Sequence, residues 1–286
     1  MTVKIVADSA CDLPNELYQE YNIKMVPLVV TLDGQEYEDS VTISPKTVYD
    51  AMRSGKAPKT SQVSQQAFRE VFMEYVQKKI PLVYFAFSSE LSGTYQSAKI
   101  VQQEIKEEYP DAELHVVDTK GASLGYGLVI VRAAQLAIEG KSVEEIITTG
   151  LYHATHMEHI FTVDDLEYLY RGGRVSKTAA FVGGLLKIKP LLDVEDGKLI
   201  PIEKIRGAKK VLKRMVEVME ERGKDFENQT IGISHGDDLE NAEKLKELIQ
   251  EKWNCKDFII HTVGATIGAH SGPGTIALFF LNDDYK

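Results

Sequence analysis

Leu82–Phe87 reads Leu-Val-Tyr-Phe-Ala-Phe, six consecutive apolar or aromatic residues with no polar alternation. A strand with no polar face must be covered on both sides, as in a parallel sheet sandwiched between helices. The run stops abruptly at Ser88, Ser89, Ser92, Gly93 and Thr94. Thr94, Ala98, Val101 and Ile105 then recur at helical spacing. Strand, hydroxyl-rich loop and helix follow one another. In open α/β sheets, ligands bind beyond the carboxyl ends of strands. A helix start there presents free N–H groups and the positive end of its dipole to an anion. The loop has no lysine and a single glycine, which excludes a P-loop. It suits one small anionic or carbonyl group held by hydroxyls. An ordinary serine N-cap accounts for the same residues.

The 286 residues suffice for one large domain or two medium ones with sizeable cores. The net charge of -10 argues against general nucleic-acid binding. No apolar run is long enough for an integral membrane segment, although transient membrane contact is left open. The start, Met-Thr-Val-Lys-Ile-Val-Ala-Asp, has no signal-peptide plan. Cys11 and Cys255 make no CxxC and no zinc spacing, so free thiols and a cytoplasmic location are expected, with no metal and no cofactor.

Val3–Ala7 reads as a strand, followed by Asp and Ser before Pro14, which is helix-start grammar. Met25–Leu32 reads as one strand, and Asp33-Gly34 turns it into Gln35–Glu38. Ser44-Pro45 opens a helix ending near Arg53. The polar loop Ala57–Ser64 ends in a serine suited to capping the next helix. Thr60 and Ser61 have no comparable capping role and are freer to meet a ligand. Leu114–Asp118 is a strand, Thr119–Gly127 a loop, and Leu128–Ile138 a helix apolar all round, hence buried. With the helix Val143–His156, the order is β-α-β-α-β-α-β-α with an inserted hairpin. That is an α/β domain with a mainly parallel sheet, assigned to residues 1–159.

The second α/β domain is assigned to residues 160–286. Arg171-Gly172-Gly173-Arg174 is either an anion clamp or a tight turn with solvated arms. The turn reading is preferred for Arg174 and Lys177, and Arg171 is held open. Thr178–Leu186 reads as a short apolar helix in which Gly183-Gly184 implies close approach by a backbone or ligand. Ile188–Val194 and Lys198–Lys204 form a hairpin about Asp196-Gly197. Arg206–Lys210 gives the next helix a basic start, either a solvated face or a dock for an acidic partner. His235 reads as a turn histidine. Gly264–Gly274 reads as a glycine loop holding His270, which is structural if taken alone.

In order along the chain stand DSACDLP (8–14), KTSQVS (59–64), SSELSGTYQSA (88–98), RGGRVSK (171–177), IRGAKKV (205–211), SHGDD (234–238) and GAHSGPG (268–274). The ordered set resembles the DegV family, bacterial fatty-acid-binding proteins that include the FakB acyl carriers. Val63 departs from the proline common in that family, which touches loop stiffness and not the hydroxyls. The resemblance implies two α/β domains with a long-chain fatty acid such as palmitate between them. It implies a carboxylate held by Thr60, with Ser61, by Ser92 and by His270. It further implies a non-catalytic carrier that presents the acid to a separate ATP-dependent fatty acid kinase, with Arg206 tied to that partner. Ala179, Ala180, Gly183 and Gly184 are the expected tunnel wall, and Arg171 a supporting contact.

At ~0.8 kcal/mol per buried CH₂, a long tail supplies on the order of 10 kcal/mol before ordering costs. The tail would therefore set affinity, and the polar residues would set which end goes where. The competing reading is a serine hydrolase or acyltransferase using Ser92 with His270 as base. Against it, the chain has no G-x-S-x-G elbow and no evident acid to orient His270. A phosphate-ligand enzyme built on Arg171–Lys177 is weaker still, because no glycine-rich phosphate loop follows a strand.

Overall fold

The computed structural model describes residues 3–176 and 188–286. The expected helix Thr178–Leu186, with Ala179, Ala180, Gly183 and Gly184, lies outside the described residues, as does Lys177.

The N-terminal part runs β1 (Lys4–Asp8), α1 (Asn15–Glu20), β2 (Lys24–Val26), β3 (Val29–Leu32), β4 (Gln35–Glu38), α2 (Pro45–Arg53), β5 (Lys59–Ser61), α3 (Gln65–Val76), β6 (Leu82–Ala86), α4 (Thr94–Glu108), β7 (Leu114–Asp118), α5 (Ser123–Ile138) and α6 (Val143–His156). The remainder runs β8 (Met157–Thr162), α7 (Leu166–Arg171), β9 (Ile188–Glu195), β10 (Lys198–Arg206), α8 (Ala208–Arg222), β11 (Thr230–His235), α9 (Leu239–Gln250), β12 (Asp257–Thr262), α10 (Ala265–Ser271) and β13 (Ile276–Leu281).

Strand β6 is central in a parallel sheet of order β2-β1-β6-β7. All five of its residues are buried, because both faces are covered. Tyr84 packs on Phe68 and Phe72 of α3. The next residue, Phe85, points the opposite way and lies against Gly150 of α6, where a Cβ would meet its ring. The second sheet, β10-β9-β8-β13-β11-β12, is mixed: β11 and β12 are parallel and the other pairs antiparallel. The fold is thus two α/β domains, the first with a parallel sheet. A third, small antiparallel sheet has the order β4-β3-β5.

Four local expectations change. The strand Met25–Leu32 is two strands in two sheets, divided at Pro27 and Leu28. Proline has no N–H for a ladder, and the Leu28 N–H is diverted to Ser9 Oγ at 3.0 Å. The polar loop at Lys59 contains β5, whose Thr60 pairs with Val30. Helix α5 begins at Ser123, four residues before the end of the expected loop. Its early glycines are where neighbours press: a Cβ on Gly125 would meet the His159 ring, and one on Gly127 the Cys11 carbonyl. The glycine loop around His270 contains helix α10. Other local signals hold. Ser44 and Ser64 cap their helices through their side chains.

Helix α10 belongs in sequence to the second domain yet packs on the first. Ala265 and Ala269 share a buried cluster with Val30, Val48, Tyr49 and Met52. Tyr49 donates to the Val263 carbonyl at 2.9 Å, and a Cβ on Gly268 would collide with the Tyr49 hydroxyl. This interlock brings His270 to the small sheet that carries Thr60.

Candidate functional site: an interdomain cavity with a polar pole

A cavity of about 420 Å³ lies between the two domains. Much of its described wall is apolar, including Leu28, Phe87, Leu91, Phe161, Leu169, Ala277 and Phe279. Thr275, Ala277 and Phe279 are alternate residues on one face of the β13 segment, as the strand period requires. They extend the wall about 14 Å along the strand. Thr60, Ser61, Gln62, Ser92, Arg174 and His270 also line the cavity.

Thr60 Oγ1 and His270 Nε2 are 2.7 Å apart. Burial, and then the neighbouring charge of Arg174, pull the His270 pKa down to about 4. The ring is therefore neutral near pH 7, with one donor and one acceptor nitrogen. Ser92 Oγ accepts from the Thr94 N–H at 3.2 Å and lies 2.9 Å from Thr94 Oγ1. Thr94 Oγ1 in turn accepts from the Val63 N–H at 3.3 Å, and Gln62 Nε2 donates to Ser97 Oγ at 2.7 Å. The loop after β5 and the loop after β6 are thereby stitched together, fixing Thr60 relative to Ser92. Gly93 is needed for this: a Cβ there would sit 1.9 Å from Gln62 Oε1. Ser61 lines the cavity from an exposed position.

The two arginines of the Arg-Gly-Gly-Arg turn part company. Arg171 is exposed and lies over the Tyr168 ring, 5.0 Å from its centroid. Arg174 enters the cavity, where its guanidinium donates to the Leu91 carbonyl at 2.9 and 3.2 Å and to the Gly172 carbonyl. Among the described residues it has no carboxylate partner. Burial lowers its pKa, but an arginine stays charged in proteins. The glycines of the turn serve different ends. Gly172 makes room for His270, whose Nδ1 would be 2.1 Å from an added Cβ, while Gly173 takes φ +73°. Arg171, expected as a supporting contact, is not among the cavity-lining residues, whereas Arg174, expected to be a solvated turn arm, is. Only the turn geometry distinguishes them.

The remaining candidates have local roles. Ser88 Oγ donates to the Gly197 carbonyl at 2.8 Å, tying the β9–β10 hairpin to the first domain. Ser89 is held by Lys120. His235 Nδ1 accepts from the Asp238 N–H at 3.2 Å, within its turn. Asp8 is buried and accepts from Tyr84, Tyr126 and the Phe87 and Ala10 N–H groups. It braces the strand ends. His159, unremarked in the sequence, lines the cavity. Its Nε2 accepts from the Ala122 N–H, and burial pulls its pKa down to about 4. Arg206 is exposed at the end of β10, with Lys209 and Lys210 exposed beyond it. Among the described residues no group of acidic, histidine and cysteine side chains could hold a metal ion, and no helix is long and apolar enough to cross a membrane.

By architecture this is a two-domain α/β protein built around an interdomain cavity. The chain belongs to the DegV family: the model described as "Uncharacterised protein, DegV family" matches residues 2–283. A DegV domain-containing protein of Clostridium perfringens is 45% identical over 282 residues, covering 98% of this chain and 97% of the relative. A DegV family protein from Thermus thermophilus, whose solved structure is described as fatty-acid binding, superposes with a TM-score of 0.90 at 32% identity, covering 98% of this chain and 99% of that one. A stearic-acid-binding protein from Eubacterium ventriosum superposes with a TM-score of 0.84 at 29% identity, covering 97% of both chains.

Proposed function

We propose that this protein binds a long-chain fatty acid in the interdomain cavity. The carboxylate sits at the pole formed by Thr60, Ser61, Ser92, His270 and Arg174, and the tail runs along the Ala277–Phe279 wall. The observation that carries this reading is Arg174, a cation drawn into a largely apolar cavity and held, among the described residues, by carbonyl oxygens and by no carboxylate. A half-buried charge facing an apolar cavity gains from a counterion, and a ligand carboxylate is the counterion this pole is shaped to receive. Thr60, Ser92 and neutral His270 supply hydrogen bonds that orient it. The fatty-acid-binding descriptions of the Thermus and Eubacterium proteins support the same ligand class.

Native mass spectrometry of the purified protein, followed by denaturing lipid extraction, tests this directly. A bound fatty acid is expected. Protein that is ligand-free and also ignores added palmitate and stearate is incompatible with the proposal.

The protein acts as a non-catalytic carrier that presents the carboxylate to a separate ATP-dependent fatty acid kinase. The support for this step is the family resemblance together with the exposed basic run Arg206, Lys209 and Lys210 on an otherwise acidic chain. Arg206→Ala is expected to leave fatty acid binding intact and to slow acyl phosphate formation in a reconstituted kinase assay. Unchanged turnover removes Arg206 from the docking surface.

A further inference from the structure

We propose that Asp39, in the first domain, is the positioning residue of the carboxylate site: it sets the place of His270 by holding the first turn of the helix that carries it. This rests on the fatty-acid reading above. Helix α10 has only seven residues and no side-chain cap of its own, its N-cap being Gly264. A helix that short is unstable by itself, and its first N–H groups need acceptors. Asp39 supplies them from the segment after β4. Its Oδ1 accepts from the Ala265 N–H and its Oδ2 from the Thr266 N–H, both at 3.1 Å.

The carboxylate is itself fixed. Asp39 is fully buried. Ser9 Oγ donates to Oδ2 at 3.1 Å and Ser40 Oγ to Oδ1 at 3.2 Å. Ser9 is anchored in turn by the Leu28 N–H, and the Asp39 N–H donates to the Leu28 carbonyl at 2.9 Å. His270 lies one turn beyond Thr266, about 6 Å along the axis. Displacement of the first turn therefore carries directly to the imidazole and to its 2.7 Å contact with Thr60. Asp39 touches no ligand-facing atom of that pair. It acts through the helix.

The test compares palmitate with hexadecanol, which shares the tail and lacks the carboxylate, on wild type, Asp39→Ala and Asp39→Asn. Loss of a helix cap corresponds to about a tenfold change in an equilibrium. Asp39→Ala is expected to weaken palmitate about tenfold while hexadecanol binding stays near the wild-type value. Asp39→Asn falls between, because its amide oxygen still accepts one of the two N–H groups. Unchanged palmitate affinity, or equal losses for both ligands, overturns the proposal; the second result means a general structural role. If Asp39→Ala does not fold, the ring nitrogen shifts of His270 in Asp39→Asn decide: they move if Asp39 positions the ring, and unmoved shifts overturn the proposal. A wild type with no preference for palmitate over hexadecanol sinks the carboxylate reading itself, and is distinguishable from either result above.

Discussion

Thr60 Oγ1 lies 2.7 Å from His270 Nε2 although 210 positions separate the two residues. The contact closes the polar pole of the cavity between a strand of the small sheet and a helix of the second domain. It exists because α10 packs on the first domain through Tyr49 and Asp39 and not on its own sheet alone. The consequences for binding and stability can be measured.

His270 should titrate near pH 4 in ligand-free protein, lowered by burial and then by Arg174. A carboxylate beside the ring favours its charged form, so palmitate should raise the midpoint seen by NMR of the ring. The linkage has a definite sign. Unfolded histidine titrates near 6.5, so between pH 6.5 and 4 the unfolded chain takes up the proton first, and His270 subtracts stability as pH falls. Relative to wild type, His270→Gln should therefore gain up to about 3 kcal/mol in urea unfolding on going from pH 7 to pH 4. A constant difference between the two proteins would contradict the buried, neutral state.

Arg174→Gln should weaken palmitate about ten- to a hundredfold by calorimetry, the range for losing a hydrogen bond to a charged group. Arg174→Lys should recover part of the loss, as a point charge without the guanidinium fork. Wild-type affinity in the glutamine variant would show that the carboxylate lies elsewhere.

Ala277→Phe should abolish co-purification of lipid without lowering the melting temperature. Ala277 lies across from Phe161 on the cavity wall. A phenyl group there fills empty space and does not overpack a dense core. Retained lipid would move the tail to another wall.

Ser92→Ala should cost palmitate binding about 1.5 to 3 kcal/mol, the range for one hydrogen bond to a charged group. No burst of product is expected from a p-nitrophenyl ester, because Ser92 bonds Thr94 while His270 bonds Thr60. A burst in wild type that disappears in Ser92→Ala would establish the hydrolase reading instead.

The chain's local grammar determined much of this protein. The apolar run in β6, the capping serines Ser44 and Ser64, and the Asp33-Gly34 and Asp196-Gly197 turns all act within a few residues of themselves. Thr60 stands out as a hydroxyl lacking an evident local task, whereas Ser92 is also explained by an N-cap and His270, taken alone, reads as structural; the family resemblance is what joins the three. Their union was not readable from spacing, since it depends on one helix lodging in the other domain. Tertiary structure decided three things. It turned a glycine-rich segment into α10, because Asp39 caps that helix from 226 positions away. It split the expected strand at Pro27, because Ser9 captures the Leu28 N–H. It sent Arg174 and not Arg171 into the cavity, because Gly173 turns the backbone at positive φ while His270 packs against Gly172. In each case the deciding partner is remote in sequence or lies in turn geometry. Local propensity yields to such contacts wherever burial leaves a polar group only one place to bond.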